Sequence, residues 1–157
     1  MINEINIIEH LQRMNLTTLM RIISTPFDLV VLTIMILVLY IYKILNLTDI
    51  LFIIIGLILC ILLKLLFRRP RPFVASNRVI NYSNETVDVY SFPSGHTLMA
   101  TIFFLILLNK YPKQKIFYVF ILLVGISRIF LGAHYPTDVV AGIIFGVLYY
   151  NIIKNKL

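Results

Sequence analysis

Apolar residues gather in five long runs, at about 27–42, 50–67, 94–109, 116–131 and 137–153, separated by polar links. Each run is long enough to consider as a membrane span, though several are near the short end for a hydrocarbon layer ~30 Å thick. Lipid offers backbone groups no partners, so every such span is expected to be helical. Residues 4–23 read differently. Ile5, Ile8, Leu11, Leu19, Ile22 and Ile23 recur at roughly helical spacing among Glu4, Arg13 and Arg21. That pattern predicts an N-terminal amphipathic helix over 1–24, lying in the interface or packed across the bundle. Pro26 then suits the first turn of a helix.

The expected fold is all-α: an integral membrane helical bundle of about five transmembrane helices plus the N-terminal amphipathic interfacial helix. One domain over 1–157 is expected, with its transmembrane core at 27–153. Composition strengthens this reading. The chain is 60% apolar, 13% charged and has a mean hydropathy of +0.94, where a soluble domain carries roughly 25% charged residues. Too few polar residues remain to cover a soluble surface.

Charge changes the picture little. The net charge of +7 comes from 14 Lys+Arg against 7 Asp+Glu. The aromatics lie in or beside the apolar runs rather than interleaved with a basic groove, so basic loops and an anion site explain the excess, and nucleic acid is not expected as a partner. Cys60 has no second cysteine to pair with. Glu4, Glu9 and Arg13 interrupt any signal-peptide-like apolar region.

Alternating the links across a membrane places Lys43, Lys110, Lys113, Lys115, Lys154 and Lys156 on one side, against Asp49 alone. The other side holds Arg13, Arg21, Arg68, Arg69 and Arg78, with Glu4, Glu9, Asp28, Glu85 and Asp88, besides the cations discussed next. The positive-inside rule leans toward a cell-membrane protein whose long link 68–93 faces away from the cytoplasm.

Three polar islands remain. Lys64 and Arg71 are seven residues apart, but Pro70 and Pro72 argue that the helix ends before them. Lys64 would then project from the last turns and Arg71 from the start of the loop, both reaching one anion. Snorkelling toward headgroups is the plainer alternative. Pro93-Ser94-Gly95-His96 opens the third run. Ser94 is suited to an N-cap, Gly95 lets a backbone approach closely, and the N–H groups of that helix start form an anion site with His96 at its mouth. Ser127-Arg128 ends the fourth run, and His134 and Asp138 straddle the start of the fifth. A separation of four lets Asp138 accept a hydrogen bond from one imidazole nitrogen of His134, presenting the other as a nucleophile. An Asp helix cap beside an unrelated histidine is the alternative. Zinc could use two His and an Asp, but Lys64, Arg71 and Arg128 would repel a divalent ion and favour an oxyanion, so neither a metal nor another cofactor is expected.

Together the islands read KLLFRRPRP from Lys64 to Pro72, PSGH at 93–96 and SRIFLGAHYPTD at 127–138. This resembles the type 2 phosphatidic acid phosphatase (PAP2) superfamily, which includes the vanadium haloperoxidases, in motif over 64–138 and in span pattern over roughly 27–153. The resemblance implies a metal-independent membrane lipid phosphatase acting on a lipid phosphate or diphosphate, such as phosphatidate, phosphatidylglycerophosphate or a polyprenyl diphosphate. It implies that His134 attacks phosphorus and becomes a phosphohistidine, with Asp138 orienting it. His96 would protonate the leaving oxygen and then activate water, while Lys64, Arg71, Ser94, Gly95 and Arg128 bind the phosphoryl oxygens. Many members of that family have six spans, against five here. A lipid phosphotransferase using the same site and a non-enzymatic binder of anionic lipid are the alternatives; nothing in the sequence sets the oligomeric state.

Overall fold

A computed structural model describes residues 2–83 and 90–154. Among them the regular elements are all helical: α1 (Ile2–Gln12), α2 (Thr17–Ser24), α3 (Leu29–Ile41), α4 (Leu47–Phe67), the short α5 (Pro72–Ala75), α6 (Gly95–Lys110), α7 (Ile116–Phe130) and α8 (Pro136–Lys154). All five apolar runs are therefore helices. By length and composition α4 and α8 suffice to cross a membrane, and α2 with α3 would make a third span bent by 56°. The apolar α6 and α7 are shorter, at 16 and 15 residues. Of the polar residues placed in the long link and the C-terminal tail, Glu85, Asp88 and Lys156 lie outside the described residues.

Helix α6 is the centre of the bundle, packed against α4, α7 and α8. Its Leu98, Met99, Ala100, Ile102, Phe103 and Ile106 are buried on several faces. By contrast α3 exposes Leu29, Val30, Ile34, Leu37 and Ile41, and α4 exposes Leu51, Ile54, Ile58, Ile61 and Leu65. Apolar side chains in such density on an outer surface belong against lipid tails. The chain is an integral membrane protein. At the end remote from the three islands, Asn46 and Asp49 exchange two 2.8 Å hydrogen bonds as a capping box at the start of α4. Asp49 also pairs with Lys110 at 2.8 Å.

Where the sequence predicts one amphipathic helix over 1–24, there are two. The break falls at residues 13–16, with Asn15 at φ +23°. The two pieces face different surroundings, which is why one continuous helix does not serve. Ile5 and Ile8 of α1 are buried against Val79 and Tyr135, whereas Leu19 and Ile22 of α2 are exposed. Both pieces pack on α7, and α2 keeps Leu19 and Ile22 on an outward apolar face. A 3-10 turn, Thr25–Phe27, holds Pro26 in its first positions, and Asp28 caps α3 in extended conformation, so the first run starts with a bend.

Two glycines set the geometry near the islands. A Cβ on Gly142 would lie 2.9 Å from the Ser94 carbonyl oxygen, so its absence lets α8 approach the start of α6. Gly132 turns the chain between α7 and α8 at φ +73°, where a Cβ would lie 2.5 Å from the Ile80 carbonyl oxygen.

Candidate active site

All three islands meet at one end of the bundle. Lys64 projects from the last turn of α4 and donates to the Tyr90 carbonyl at 2.8 Å. Arg71 caps α5 and is 1% exposed, with Nη1 donating to the Ala133 carbonyl at 3.3 Å. That burial removes snorkelling as its explanation. Arg128, near the C-terminus of α7, is 2% exposed, and its Nη1 donates to Ser24 Oγ at 2.6 Å. Its main-chain carbonyl accepts from the Ala133 and His134 N–H groups at 3.2 and 3.3 Å, fixing the loop that carries His134.

His134 is buried, and its Nδ1 lies 2.7 Å from the Ser91 carbonyl oxygen. A carbonyl only accepts, so Nδ1 carries the proton and a neutral ring keeps its lone pair on Nε2. Burial pushes this imidazole well below the ordinary histidine range, and the charges of Arg71, Arg128, Lys64 and His96 push the same way. The ring is therefore neutral where a free histidine would already protonate. A neutral nitrogen nucleophile held among three cations is suited to attack an electrophile bearing anionic oxygens.

Asp138 does not take the expected hydrogen bond. Its Oδ2 is 3.6 Å from His134 Nδ1, beyond hydrogen-bond reach, and accepts instead from the Tyr135 N–H at 2.9 Å. Oδ1 accepts from Arg69 Nη1 at 2.6 Å. Two better donors thus compete for the carboxylate, and Ser91 orients the imidazole. The cap and the histidine neighbour are one and the same residue, combining the two alternatives left by the spacing.

Ser94 occupies the N-cap position of α6, but its hydroxyl meets Thr97 Oγ1 at 2.9 Å and caps no backbone N–H. Its own N–H donates to the Asp138 carbonyl at 3.0 Å. Gly95 starts α6 beside α4, where a Cβ would come within 3.8 Å of Lys64 Cε. The early N–H groups of α6 and Lys64 therefore converge. His96 is one residue further on, with Nε2 2.8 Å from Asp28 Oδ1. Among the described residues no three His, Cys, Asp or Glu side chains could jointly hold a metal ion.

Sequence reasoning missed Ser24, Asp28, Arg69, Glu4 and Ser91. The sequence places Arg69 with the surface cations and points to nearby Arg71 for the site. The only signal was its place inside the first island.

A model of the PAP2 superfamily matches residues 46–156, a stretch that contains every residue of the three islands. The chain belongs to the PAP2 superfamily. Among curated PAP2-like relatives, it is 39% identical to undecaprenyl-diphosphatase BcrC of Bacillus subtilis (strain 168) over 103 residues, 61% of this chain and 51% of that one. It is 38% identical to phosphatidylglycerophosphatase B of the same organism over 78 residues, 42% of this chain and 38% of that one. The chain thus spans about half the length, or less, of these relatives. Two solved structures cover nearly all of it. A crystal structure of Aquifex aeolicus LpxE aligns with a TM-score of 0.80 at 26% identity, covering 97% of this chain and 94% of that one. The Bacillus subtilis PAP2-type phosphatidylglycerolphosphate phosphatase aligns at 0.77 and 26%, covering 98% and 83%. The all-helical PAP2 fold expected from the islands is the fold observed.

Proposed function

We propose that this chain is a lipid phosphatase of the cell membrane, which removes the terminal phosphate of a lipid phosphate or diphosphate through a phosphohistidine and without a metal. The observation that carries the reading is His134: a buried neutral imidazole with its Nδ1 proton committed to Ser91, surrounded by Arg71, Arg128 and Lys64. The names of the relatives support the substrate class. They include an undecaprenyl-diphosphatase, a lipid A 1-phosphatase and a phosphatidylglycerophosphatase.

In the first step the Nε2 lone pair of His134 forms a bond to phosphorus as the bond to the lipid oxygen breaks. His96 gives that oxygen its proton, so the lipid leaves as an alcohol or a monophosphate. In the second, His96 takes a proton from water, the water oxygen bonds to phosphorus and the phosphorus–nitrogen bond breaks. Phosphate leaves and both histidines return to their starting states. Arg71, Arg128, Lys64 and the first N–H groups of α6 at Ser94-Gly95 neutralise the non-bridging oxygens, where a loose phosphoryl-transfer transition state gains most. The site would face away from the cytoplasm. Arg69, engaged with Asp138, leaves that side's count of surface cations and strengthens the positive-inside lean.

The test is phosphate release in detergent, with chelator present, from phosphatidate, phosphatidylglycerophosphate and undecaprenyl diphosphate. Wild type is expected to turn over at least one, and His134→Ala none. A His134→Ala protein releasing phosphate as fast as wild type would show that the nucleophile is misassigned.

A further inference from the structure

Arg69 is the most heavily engaged side chain near the site that the proposed chemistry does not use. Its Nη1 donates to Asp138 Oδ1 and to Thr137 Oγ1, each at 2.6 Å. Nη2 donates to Glu4 Oε2 at 2.9 Å. The guanidinium carbon lies 3.9 Å over the Tyr135 ring, within cation–π range. Its own carbonyl accepts from the Ser91 N–H at 2.8 Å, and Ser91 is the residue whose carbonyl accepts from His134 Nδ1. Glu4 in turn accepts from the Thr137 N–H at 3.1 Å and hydroxyl at 2.6 Å. Burial works to raise the Glu4 carboxyl, but the hydrogen bonds from Thr137 and Arg69 outweigh it and hold the group below its usual range. It is an anion at neutral pH.

We propose that Arg69 is a positioning residue for the nucleophile: braced by Glu4, it balances the charge of the Asp138 carboxylate beside His134, while its main chain fixes the Ser91 carbonyl that orients the ring. The inference rests on His134 being the nucleophile, as proposed above. Two ways of arranging these groups compete. With Arg69 in place, the Asp138 charge is balanced by the guanidinium and the imidazole faces a neutral carbonyl. Without it, an unbalanced carboxylate stands 3.6 Å from Nδ1. An opposite charge that close favours the imidazolium, which has no lone pair to attack with. The other charged groups facing His134 are Lys64 on α4, Arg71 at α5, His96 on α6 and Arg128 on α7, and all oppose protonation. Arg69 thus keeps the Asp138 carboxylate from cancelling them. Glu4 links this arrangement to α1, which lies outside the stretch matched to the superfamily.

The test compares kcat and KM from pH 5 to 9 for wild type, Arg69→Gln, Arg69→Lys and the double variant Arg69→Gln/Asp138→Asn, using the lipid phosphate that wild type turns over best. Arg69→Gln is expected to lower kcat about tenfold or more with little change in KM, and to move the acid limb of the profile upward by about 1–3 pH units. Arg69→Lys keeps the cation and is expected to keep the limb where wild type has it. The double variant removes both charges and returns the limb, with kcat still low. A limb in Arg69→Gln that superimposes on wild type overturns the proposal. Should Arg69→Gln fail to fold, the double variant decides: a limb displaced upward there, with no carboxylate beside the ring, also overturns it. Inactive wild type, by contrast, would sink the phosphatase reading itself.

Discussion

Ser24→Ala is a one-atom perturbation that reaches the site from outside the matched stretch. Ser24 is 3% exposed, lies at the end of α2, and accepts from Arg128 Nη1 at 2.6 Å. Arg128 is itself buried, so water does not readily replace the lost acceptor. A hydrogen bond to a charged group contributes ~1.5–3 kcal/mol. Where Arg128 grips the phosphoryl oxygens, as proposed, most of that loss falls on the transition state, where their negative charge is best matched by a fixed cation. At a tenfold change in rate per ~1.4 kcal/mol, kcat/KM is expected to fall about 10- to 150-fold. The measurement is steady-state phosphate release in detergent, with a thermal melt of the same samples to separate lost positioning from lost fold. Ser24→Thr keeps a hydroxyl and is expected to recover much of the rate. A Ser24→Ala protein with kcat/KM within about twofold of wild type and an unchanged melt would refute the reasoning. It would mean that Arg128 holds its place without α2.

Two further outcomes follow from the same geometry. Asp28→Asn removes the carboxylate that meets His96 Nε2 at 2.8 Å and is expected to lower kcat by about tenfold, ~1.4 kcal/mol of transition-state stabilisation, with KM nearly constant; steady-state kinetics on the preferred lipid checks this, and a changed KM with constant kcat would assign Asp28 to substrate binding instead. Gly132→Ala puts a side chain at φ +73° and 2.5 Å from a backbone oxygen. It should cost at least ~1–3 kcal/mol through backbone strain alone, seen as a lowered melting temperature in detergent, and an unchanged melt would contradict the turn as described.

The charged islands were legible because ionisable groups beside apolar runs are costly and stand out from a greasy background. The five helices were legible for the same reason: uninterrupted apolar length leaves a membrane protein few choices. What could not be read was which partner each group would take. A spacing of four brings Asp138 near His134, but says nothing of Arg69 and the Tyr135 N–H, which win the carboxylate. Glu4, Ser24 and Asp28 reach their partners across 133, 104 and 68 residues of chain. No local pattern encodes contacts of that range. The break at 13–16 was hidden because α1 and α2 share one apolar period while facing different surroundings.

Residues 2–28 send a side chain to each part of the cluster: Glu4 accepts from Arg69 and Thr137, Ser24 accepts from Arg128, and Asp28 meets His96. The three islands are therefore not a transplantable cassette. A chimera that moves only 46–156 into a relative would carry every recognisable signature residue and leave behind the partners of Arg69, Arg128 and His96. On the proposed mechanism such chimeras are expected to lose activity for reasons that inspection of the motifs alone would not reveal, and grafting α1 and α2 back is expected to restore it.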